Sequence, residues 1–180
     1  GETAISVNEA NDRLIFNAAP DFETKNTYSP TLTVSDGTDS SSQNITISIS
    51  DINERPVFSS SSIFFADENQ TAIGTVSATD PEGESVRYSL SSNSGLEITS
   101  DGVLTFLSAS DYETKDTYTA TVFANDPAEN TQSQSITVNV NDVNDAPTFT
   151  SSDAFSVNEN QTSIGTVTAT DADGDTVTYS

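Results

Sequence analysis

The sequence contains no cysteine, histidine, methionine or tryptophan, and only five lysine and arginine residues against 28 aspartate and glutamate residues. Without cysteine, neither disulfides nor thiolate metal sites can brace the chain. Without histidine, zinc sites, copper sites and imidazole acid–base catalysis lose their usual groups. The groups that remain are hard oxygen ligands, which Ca²⁺ prefers.

The net charge of −23 excludes nucleic acid and anionic membrane surfaces as partners. Such self-repulsion destabilises a compact state unless counter-charge is bound, and divalent cations are the first candidates. No apolar run approaches the length of about 18 residues that a membrane-spanning helix needs, so we expect no membrane insertion. The chain opens on Gly1 without an initiator methionine or a signal-peptide pattern, which is typical of a piece of a longer protein.

The chain repeats itself after about 90 residues, and its acidic motifs are the parts that recur most faithfully. Three pairs of segments carry the repeat: DFETKNTY at 21–28 and DYETKDTY at 111–118, DINERPVF at 51–58 and DVNDAPTF at 142–149, and DENQTAIGTVSATD at 67–80 and NENQTSIGTVTATD at 158–171. A fixed long period predicts a tandem array of like domains. Each would be at the small end of what can hold its own hydrophobic core.

Apolar residues alternate with polar ones in many short runs, which predicts half-buried strands. The predicted strands are Tyr28–Val34, Ile45–Ile49, Ser62–Ala66, Ile73–Ala78, Val86–Leu90, Leu96–Thr99, Val103–Phe106, Tyr118–Ala124 and Ile136–Val140. About seven short strands per period, with frequent turn residues and no helical periodicity, predict a β-sandwich.

The repeats divide the chain into three parts. Residues 1–51 correspond to the later part of one repeat, residues 52–142 to a complete repeat, and residues 143–180 to the beginning of a further one. Asp51–Pro56 and Asp142–Pro147 are the joints between them, and each is closed by a proline that stiffens the chain.

Carboxylates gather around the second joint from several motifs. They are Glu68, Asp111, Glu113, Asp142, Asp145, Asp171 and Asp173. Any one of them has an ordinary explanation as a turn residue or a solvated side chain. Four acidic motifs in a fixed order, repeated after one period, instead favour a cation site that draws oxygens from loops, the joint and the next domain.

These motifs resemble those of the cadherin repeat, and the resemblance covers essentially all 180 residues. The family's calcium motifs xEx, DRE, DxNDN, DxD and a late xDx have counterparts here at Glu68 and Glu159, Asp21/Glu23 and Asp111/Glu113, DINER and DVNDA, Asp171/Asp173, and Asp36 and Asp126. The resemblance implies an all-β fold of tandem seven-stranded Greek-key β-sandwiches joined end to end by calcium-binding linkers.

The resemblance also implies two ligand sets for Ca²⁺. At the second joint they are Glu68, Asp111, Glu113, Asn144, Asp145, Asp171 and Asp173, with the carbonyls of Val143 and Ala146. At the first joint they are Asp21, Glu23, Asn53, Glu54, Asp80, Glu82 and Asp126, with the carbonyls of Ile52 and Arg55. The chain departs from the family pattern where Glu54 replaces an aspartate, Arg55 and Ala146 replace the last asparagine, and DPE replaces DxD.

Three other interpretations of the acidic motifs are weaker. DADGD at 171–175 suggests an EF-hand loop, but no flanking helix is readable. Paired carboxylates such as Asp111 and Glu113 occur in glycosidases, but repetition beside a linker motif disfavours catalysis, and we expect no enzyme activity. A carbohydrate-binding module needs exposed aromatic residues, whereas Tyr28 and Tyr118 are predicted to face inward.

The expected function is that of a calcium-stiffened spacer in an extracellular adhesin or surface filament, most similar to the repeats of large bacterial surface proteins. The alternative is an adhesive module that binds a partner protein or polysaccharide directly. The expected partners are neighbouring repeats of the same protein. The two end parts together make almost one repeat, so either they are the ends of a window in a continuous array or they assemble head to tail.

Overall fold

The structure is a computed structural model that describes residues 4–8, 10–91 and 95–180, and every regular element in these residues is a β-strand. Residues 57–142 form a β-sandwich, called here the central sandwich. Residues 4–51 are called the head segment and residues 148–180 the tail segment. The described residues include no helix with the length and apolar character needed to cross a membrane.

The head segment consists of three antiparallel strand pairs. They are β1 (Ile5–Asn8) with β2 (Arg13–Phe16), β3 (Thr27–Tyr28) with β6 (Ile47–Ser48), and β4 (Thr31–Ser35) with β5 (Ser40–Asn44).

The central sandwich consists of two main sheets and one small strand pair. In sequence order its strands are β7 (Val57–Phe58), β8 (Ile63–Asp67), β9 (Ala72–Thr75), β10 (Ala78–Thr79), β11 (Arg87–Leu90), β12 (Leu96–Ile98), β13 (Val103–Phe106), β14 (Thr117–Asn125) and β15 (Thr131–Asn141). One sheet has the order β11-β14-β15-β8, the other has the order β12-β13-β9, and β7 pairs with β10. The pairs are antiparallel except β15 with β8, which run parallel. In the tail segment, β16 (Thr148–Phe149) pairs with β17 (Ala169–Thr170).

The core lies between the two sheets of the central sandwich, where the alternating pattern places the apolar residues. Val122 on β14, Val138 on β15 and Leu104 on β13 are fully buried. The intervening positions are mostly threonine, serine and asparagine on the outer faces, as in Thr119 and Ser135. This arrangement confirms the all-β sandwich, because a period of two buries every second side chain against the facing sheet.

The strands predicted for the central sandwich are confirmed with small shifts at their ends, except that β15 begins at Thr131 rather than at the predicted Ile136 and that one predicted strand is two. The predicted strand Ile73–Ala78 is divided, because β9 ends at Thr75 in one sheet and β10 begins at Ala78 beside β7. Between them, the Val76 amide donates a hydrogen bond to the Gly102 carbonyl at 2.9 Å. The chain therefore pairs at this point with the turn that precedes β13.

Two predicted strands of the head segment are wrong in their bounds. The predicted strand Tyr28–Val34 is broken before Thr31, because Pro30 has no amide to donate. Of the predicted strand Ile45–Ile49, only Ile47–Ser48 is strand. The longer strand here is β5, whose SSSQN sequence has no apolar residue to signal it.

Two leucines at equivalent positions of the head segment and the central sandwich should affect stability unequally when each is replaced by alanine. Leu104 is 0% exposed, whereas Leu14, its counterpart one period earlier, is 40% exposed. We expect Leu104→Ala to lower the free energy of unfolding of the central sandwich by about 2–5 kcal/mol, because it leaves a cavity. Leu14→Ala should lower it by less than about 1 kcal/mol. Urea unfolding followed by circular dichroism would measure both, and equal losses would contradict the assigned core.

Candidate metal centres at the two joints

The strand order brings acidic residues from distant parts of the sequence to the second joint. Strands β8 and β15 run parallel and end side by side at the pair Asp67 and Asn141. Glu68 therefore lies next to the start of the joint at Asp142, and the Glu68 amide donates to the Asn141 carbonyl at 3.1 Å. Strand β14 starts opposite the end of β15, so the acidic loop 111–116 lies at the same end.

Glu68 holds this end of the sandwich together. Glu68 is only 3% exposed. One carboxylate oxygen accepts a hydrogen bond from the Tyr112 amide at 2.9 Å, and the other accepts one from the Val143 amide at 2.8 Å. A buried carboxylate that bridges the acidic loop to the joint is therefore built into the second joint.

Two overlapping groups of carboxylates lie around this bridge. The first consists of Glu68, Asp111 and Glu113, and the second of Glu113, Asp142 and Asp173. Within each group, one oxygen from every member lies within 4.8 Å of the others. Because Glu113 belongs to both groups, the second joint offers two adjacent oxygen clusters that share one side chain.

The other residues predicted for the second joint lie beside these groups. The Asp145 amide donates to Asp173 Oδ2 at 2.7 Å, and Asn69 Nδ2 donates to Asp145 Oδ1 at 3.0 Å. Asn144 Nδ2 donates to the Asp145 carbonyl at 2.9 Å. Asp171 Oδ1 accepts from the Asp175 amide at 3.1 Å, and Asp171 belongs to neither carboxylate group.

Burial and mutual repulsion raise the pKa of two carboxyl groups in the second joint. Burial, followed by a hydrogen bond and the charge of Asp173, raises the pKa of the Asp142 carboxyl above its ordinary value. A hydrogen bond from its own backbone amide lowers the pKa of Glu113, but burial and the charges of Glu68, Asp173 and Asp142 together raise it. Both shifts mean that the clustered charges lack compensation within the protein.

The first joint gathers one larger group of carboxylates, from Glu23, Asp51, Glu54 and Glu82, again within 4.8 Å of one another. The Glu54 amide donates to Glu82 Oε1 at 3.3 Å. A hydrogen bond with Glu82, followed by burial and the charge of Glu23, raises the pKa of Glu54 to about 7. The same hydrogen bond lowers the pKa of Glu82, so this pair of carboxylates shares one proton near neutral pH.

A second set of oxygens lies at the end of the central sandwich that adjoins the first joint, where β10 and β14 end. Asp80 and Asp126 are buried, at 8% and 6% exposure. Asp126 Oδ2 accepts from Asn53 Nδ2 at 2.5 Å and from Asn130 Nδ2 at 2.9 Å. Burial opposes the charge of Asp126, but the bonds from Asn130 and Asn53 outweigh it and hold its pKa below the ordinary value.

Two buried carboxylate oxygens at this end receive no N–H donor from the residues that the structure describes. Asp80 Oδ1 accepts from the amides of Glu82 and Glu84, whereas Asp80 Oδ2 is buried and accepts no hydrogen bond from the described residues. Glu82 Oε2 is also buried and receives no N–H donor from them. An unsatisfied buried carboxylate oxygen is costly, and a bound cation is one way to satisfy it.

The two joints share a common geometry. Asn53 Nδ2 donates to the Glu54 carbonyl at 3.1 Å, as Asn144 does one period later. In both acidic loops the aspartate carboxylate accepts from the amide and the hydroxyl of a threonine, Asp21 from Thr24 and Asp111 from Thr114. Next to each loop a phenylalanine packs edge-on against a tyrosine, Phe16 against Tyr28 and Phe106 against Tyr118.

Seven predicted carboxylate ligands lie outside the carboxylate groups of the described residues: Asp80, Asp126, Asp145 and Asp171, which lie at the joints as described above, and Asp21, Asp36 and Glu159. Both oxygens of Asp21 accept from Thr24, and these bonds lower its pKa. Asp36 accepts from the amides of Thr38 and Asp39 in its own turn. Glu159 is exposed in the tail segment.

Two residues of the carboxylate groups were missed as ligands from the sequence. Asp51 and Asp142 are the first letters of DINER and DVNDA, and each lies in a group with residues of the adjacent parts. The sequence does contain a signal for these two ligands, because both motifs begin with aspartate at equivalent positions. The ligand assignment from the resemblance began one or two residues later in each motif.

The carboxylate groups suit a hard divalent cation better than any other ligand. Calcium takes six to eight oxygens from carboxylates and backbone carbonyls, and it tolerates the irregular geometry that loops provide. The described residues of both joints offer carboxylate, amide and carbonyl oxygens but no nitrogen or sulfur ligand. Besides hydrogen bonding and burial, the charges of neighbouring carboxylates raise the pKa values of Glu54, Glu113 and Asp142, and a bound cation would offset that repulsion.

Comparison with known proteins agrees with this architecture. Residues 53–139 match a family model described as a bacterial Ig domain. The chain is similar to mouse cadherin-23 EC22-24, with 29% identity and a TM-score of 0.52 over 95% of this chain and 62% of that one. It is also similar to protocadherin gammaB7 EC3-6, solved as a cis-dimer, with 25% identity and a TM-score of 0.57 over 96% of this chain and 49% of that one.

A further similar structure is the protocadherin GammaB4 extracellular domain, with 25% identity, a TM-score of 0.54 and coverage of 96% of this chain and 33% of that one. The chain thus spans between a third and about three fifths of the length of these structures. The likeness extends over 95–96% of this chain.

Proposed function

We propose that the chain is a calcium-dependent structural element, a stiff spacer in an extracellular adhesin or surface filament, because residues 53–139 match a bacterial Ig domain model and the fold is similar to that of cadherin ectodomains. We further propose that residues 1–51, 52–142 and 143–180 are the later part of one repeat, a complete repeat and the beginning of another. The function is structural, since nothing in the arrangement of the acidic residues requires catalysis.

The observation that carries this proposal is that the carboxylate groups cross the joints. The first group joins Glu23 of the head segment to Glu82 of the central sandwich. The second joint links Glu113 of the central sandwich to Asp173 beyond it. A cation held in either group contacts the residues on both sides at once, so its binding fixes the angle between neighbouring parts of the chain.

We assign the calcium ligands from these groups. At the second joint, Glu68, Asp111, Glu113, Asp142 and Asp173 would hold two ions, with Glu113 shared between them. At the first joint, Glu23, Asp51, Glu54 and Glu82 would hold one ion, and the unpartnered oxygen of Asp80 favours a second. Bound calcium supplies the counter-charge that allows these carboxylates to remain ionised together.

We place the parent protein outside a cell and, by the match of residues 53–139 to a bacterial Ig domain, on a bacterial surface. Its nearest partners are then adjacent repeats of the same chain. A net charge of −23 disfavours nucleic acid as a partner and keeps such filaments apart unless cations screen them.

A second candidate function is direct binding of a partner protein or polysaccharide. Phe65 and Ile63 on β8 are 63% and 52% exposed, and their cross-strand neighbours on β15 are Asn139 and Thr137. Two apolar residues beside a polar outer face make a small patch, so the spacer remains the better supported function. Loss of adhesion by Phe65→Ser with an unchanged response to calcium would favour the second candidate.

Calcium binding at the first joint should release a proton near neutral pH. The pKa of Glu54 is about 7, above its ordinary 4.5, so at pH 7 its carboxyl is protonated in about half of the cation-free molecules. Calcium selects the ionised form, so affinity at this joint rises with pH until the pH exceeds about 7. Titration calorimetry at pH 7 in two buffers of different ionisation enthalpy should show about half a proton released.

The matched control is Glu54→Gln, which cannot ionise and should remove this buffer dependence from the first joint. At pH 9 the wild-type release should also vanish, because Glu54 is then already ionised. Heats that are identical in both buffers at pH 7 would contradict the assignment of Glu54 as a ligand.

A further inference from the structure

Each acidic loop carries a lysine at the same place, although basic residues are rare in this chain. The five lysine and arginine residues include Lys25 and Lys115, which stand one period apart in ETKNTY and ETKDTY. Each follows a carboxylate of the groups described above by two residues, Glu23 in one loop and Glu113 in the other. A positive charge beside a calcium site opposes cation binding, so a lysine at this place calls for a role that offsets the repulsion.

The ammonium group of each lysine lies over a tyrosine ring. Lys115 Nζ is 4.0 Å from the ring centroid of Tyr118, and Lys25 Nζ is 4.7 Å from that of Tyr28. Both distances are within the roughly 6 Å over which the face of an aromatic ring attracts a cation. Neither lysine forms an ion pair with a carboxylate in the described part of the chain. The lysines therefore contact aromatic rings of the strands and not the acidic groups around them.

The ring under Lys115 is fixed by its surroundings. Tyr118 lies near the start of β14 and is half-buried against the core. Phe106, which is 3% exposed, packs edge-on against it with ring centroids 4.9 Å apart. Gly95 approaches so closely that an added Cβ there would lie 3.0 Å from Tyr118 Cε1. A side chain that stacks on this ring is therefore held against the sandwich.

Lys115 also closes the turn that carries two of the clustered carboxylates. Its amide donates a hydrogen bond to the Asp111 carbonyl at 2.9 Å. Within the turn, the amide and hydroxyl of Thr114 donate to the two carboxylate oxygens of Asp111. Glu113 lies inside the same turn, so the position of the turn sets where the oxygens of Asp111 and Glu113 lie.

We propose that Lys115 is a positioning residue of the second joint: by stacking on Tyr118, it holds the acidic turn against the sandwich in the arrangement that binds calcium. This inference rests on the calcium site proposed above. Without the contact, the turn is less ordered in the cation-free chain, and calcium has to order it on binding, which lowers the affinity. Lys25 acts in the same way on the first joint, through Tyr28.

The contact itself can be tested without calcium. In chelator, NMR should show the methylene protons next to the Lys115 ammonium shifted upfield by the ring of Tyr118. Tyr118→Phe should keep this shift, and Tyr118→Leu should abolish it. Exchange of the Thr114 amide with solvent should be about two- to fivefold faster in Tyr118→Leu than in Tyr118→Phe, as the loss of an exposed cation–π contact implies. Lys115 protons at ordinary chemical shifts in the wild type would overturn the proposal.

A double-mutant cycle separates the contact from the charge of the lysine. In the wild-type chain Lys115→Met removes both, whereas in the Tyr118→Leu chain it removes the charge alone. We expect it to weaken calcium binding at the second joint in the wild-type chain but not in the Tyr118→Leu chain, with about two- to fivefold between the two effects. Lys115→Arg should bind like the wild type, because a guanidinium also stacks on aromatic rings. An NMR titration that follows the Thr114 and Val143 amides would measure this joint separately from the first.

Lys25→Met is the matched control, because it removes the same charge one period away and should leave the second joint unchanged. An equal effect of Lys115→Met in both chains, or tighter binding of calcium by Lys115→Met than by the wild type, would overturn the proposal. A wild-type chain whose second joint binds no calcium would instead overturn the proposed function, and the measurements in chelator would still decide whether Lys115 holds the turn.

Discussion

Removal of calcium is expected to loosen both joints while the central sandwich stays folded. The core around Leu104, Val122 and Val138 lies entirely within residues 57–142, whereas the carboxylate groups lie at its two ends. Without a cation, like charges within 4.8 Å of one another repel across each joint, so the neighbouring parts are no longer held at a fixed angle.

Small-angle scattering at a protein concentration below any self-association would measure this change. In calcium the chain should scatter as an extended rod, and in chelator its maximum dimension should fall and its flexibility should rise. Circular dichroism should be nearly unchanged, because the strands of the central sandwich do not depend on the ions. Scattering profiles that superimpose with and without chelator would refute calcium as the element that sets the shape.

Glu68→Gln is expected to weaken calcium binding at the second joint by about 100-fold or more. Even substitutions of residues that only support the metal ligands often lower metal affinity by about 10–100-fold. The glutamine side chain would have nearly the same shape, but it would lack the charge and one of the two acceptor oxygens that bridge Tyr112 and Val143. Calcium should no longer stiffen this joint, whereas binding at the first joint should be unchanged.

Glu97→Gln is the matched control, because it removes one charge from an exposed position on β12 of the same sandwich. It should bind calcium like the wild type. Titration calorimetry would compare the two variants. Equal losses in both would mean that net charge, and not the position of Glu68, governs the affinity.

Much of the fold could be predicted because apolar and polar residues alternate along most strands of the central sandwich. The alternation in Tyr118–Ala124 predicts β14 to within one residue at each end, whereas β15 begins at Thr131, before the predicted start at Ile136, because TQSQS at 131–135 has no apolar residue. The prediction failed where alternation carries no information. Strand β5 is entirely polar and is held by its pairing with β4, so its sequence gives no sign of a strand.

The candidate site was only partly predictable for a different reason. Repeated motifs identified Glu68, Glu113 and Glu82, because the repeat preserves acidic letters at fixed spacing. They do not reveal which oxygens are already used, as those of Asp21 are by Thr24, or that Asp142 points toward Asp173. Nor do the motifs reveal that Glu68 bridges to the second joint, because that contact depends on the parallel pairing of β8 with β15, which brings together residues about 75 positions apart.

The central claim is that the acidic groups at both joints bind calcium, and titration of Ca²⁺ into the chelator-stripped chain tests it most directly. Calorimetry combined with a count of bound ions by native mass spectrometry should show about two ions at each joint. It should also show saturation below millimolar concentration. Glu68→Gln should remove ions from the second joint only. No binding heat and no bound ion at millimolar calcium would contradict the account.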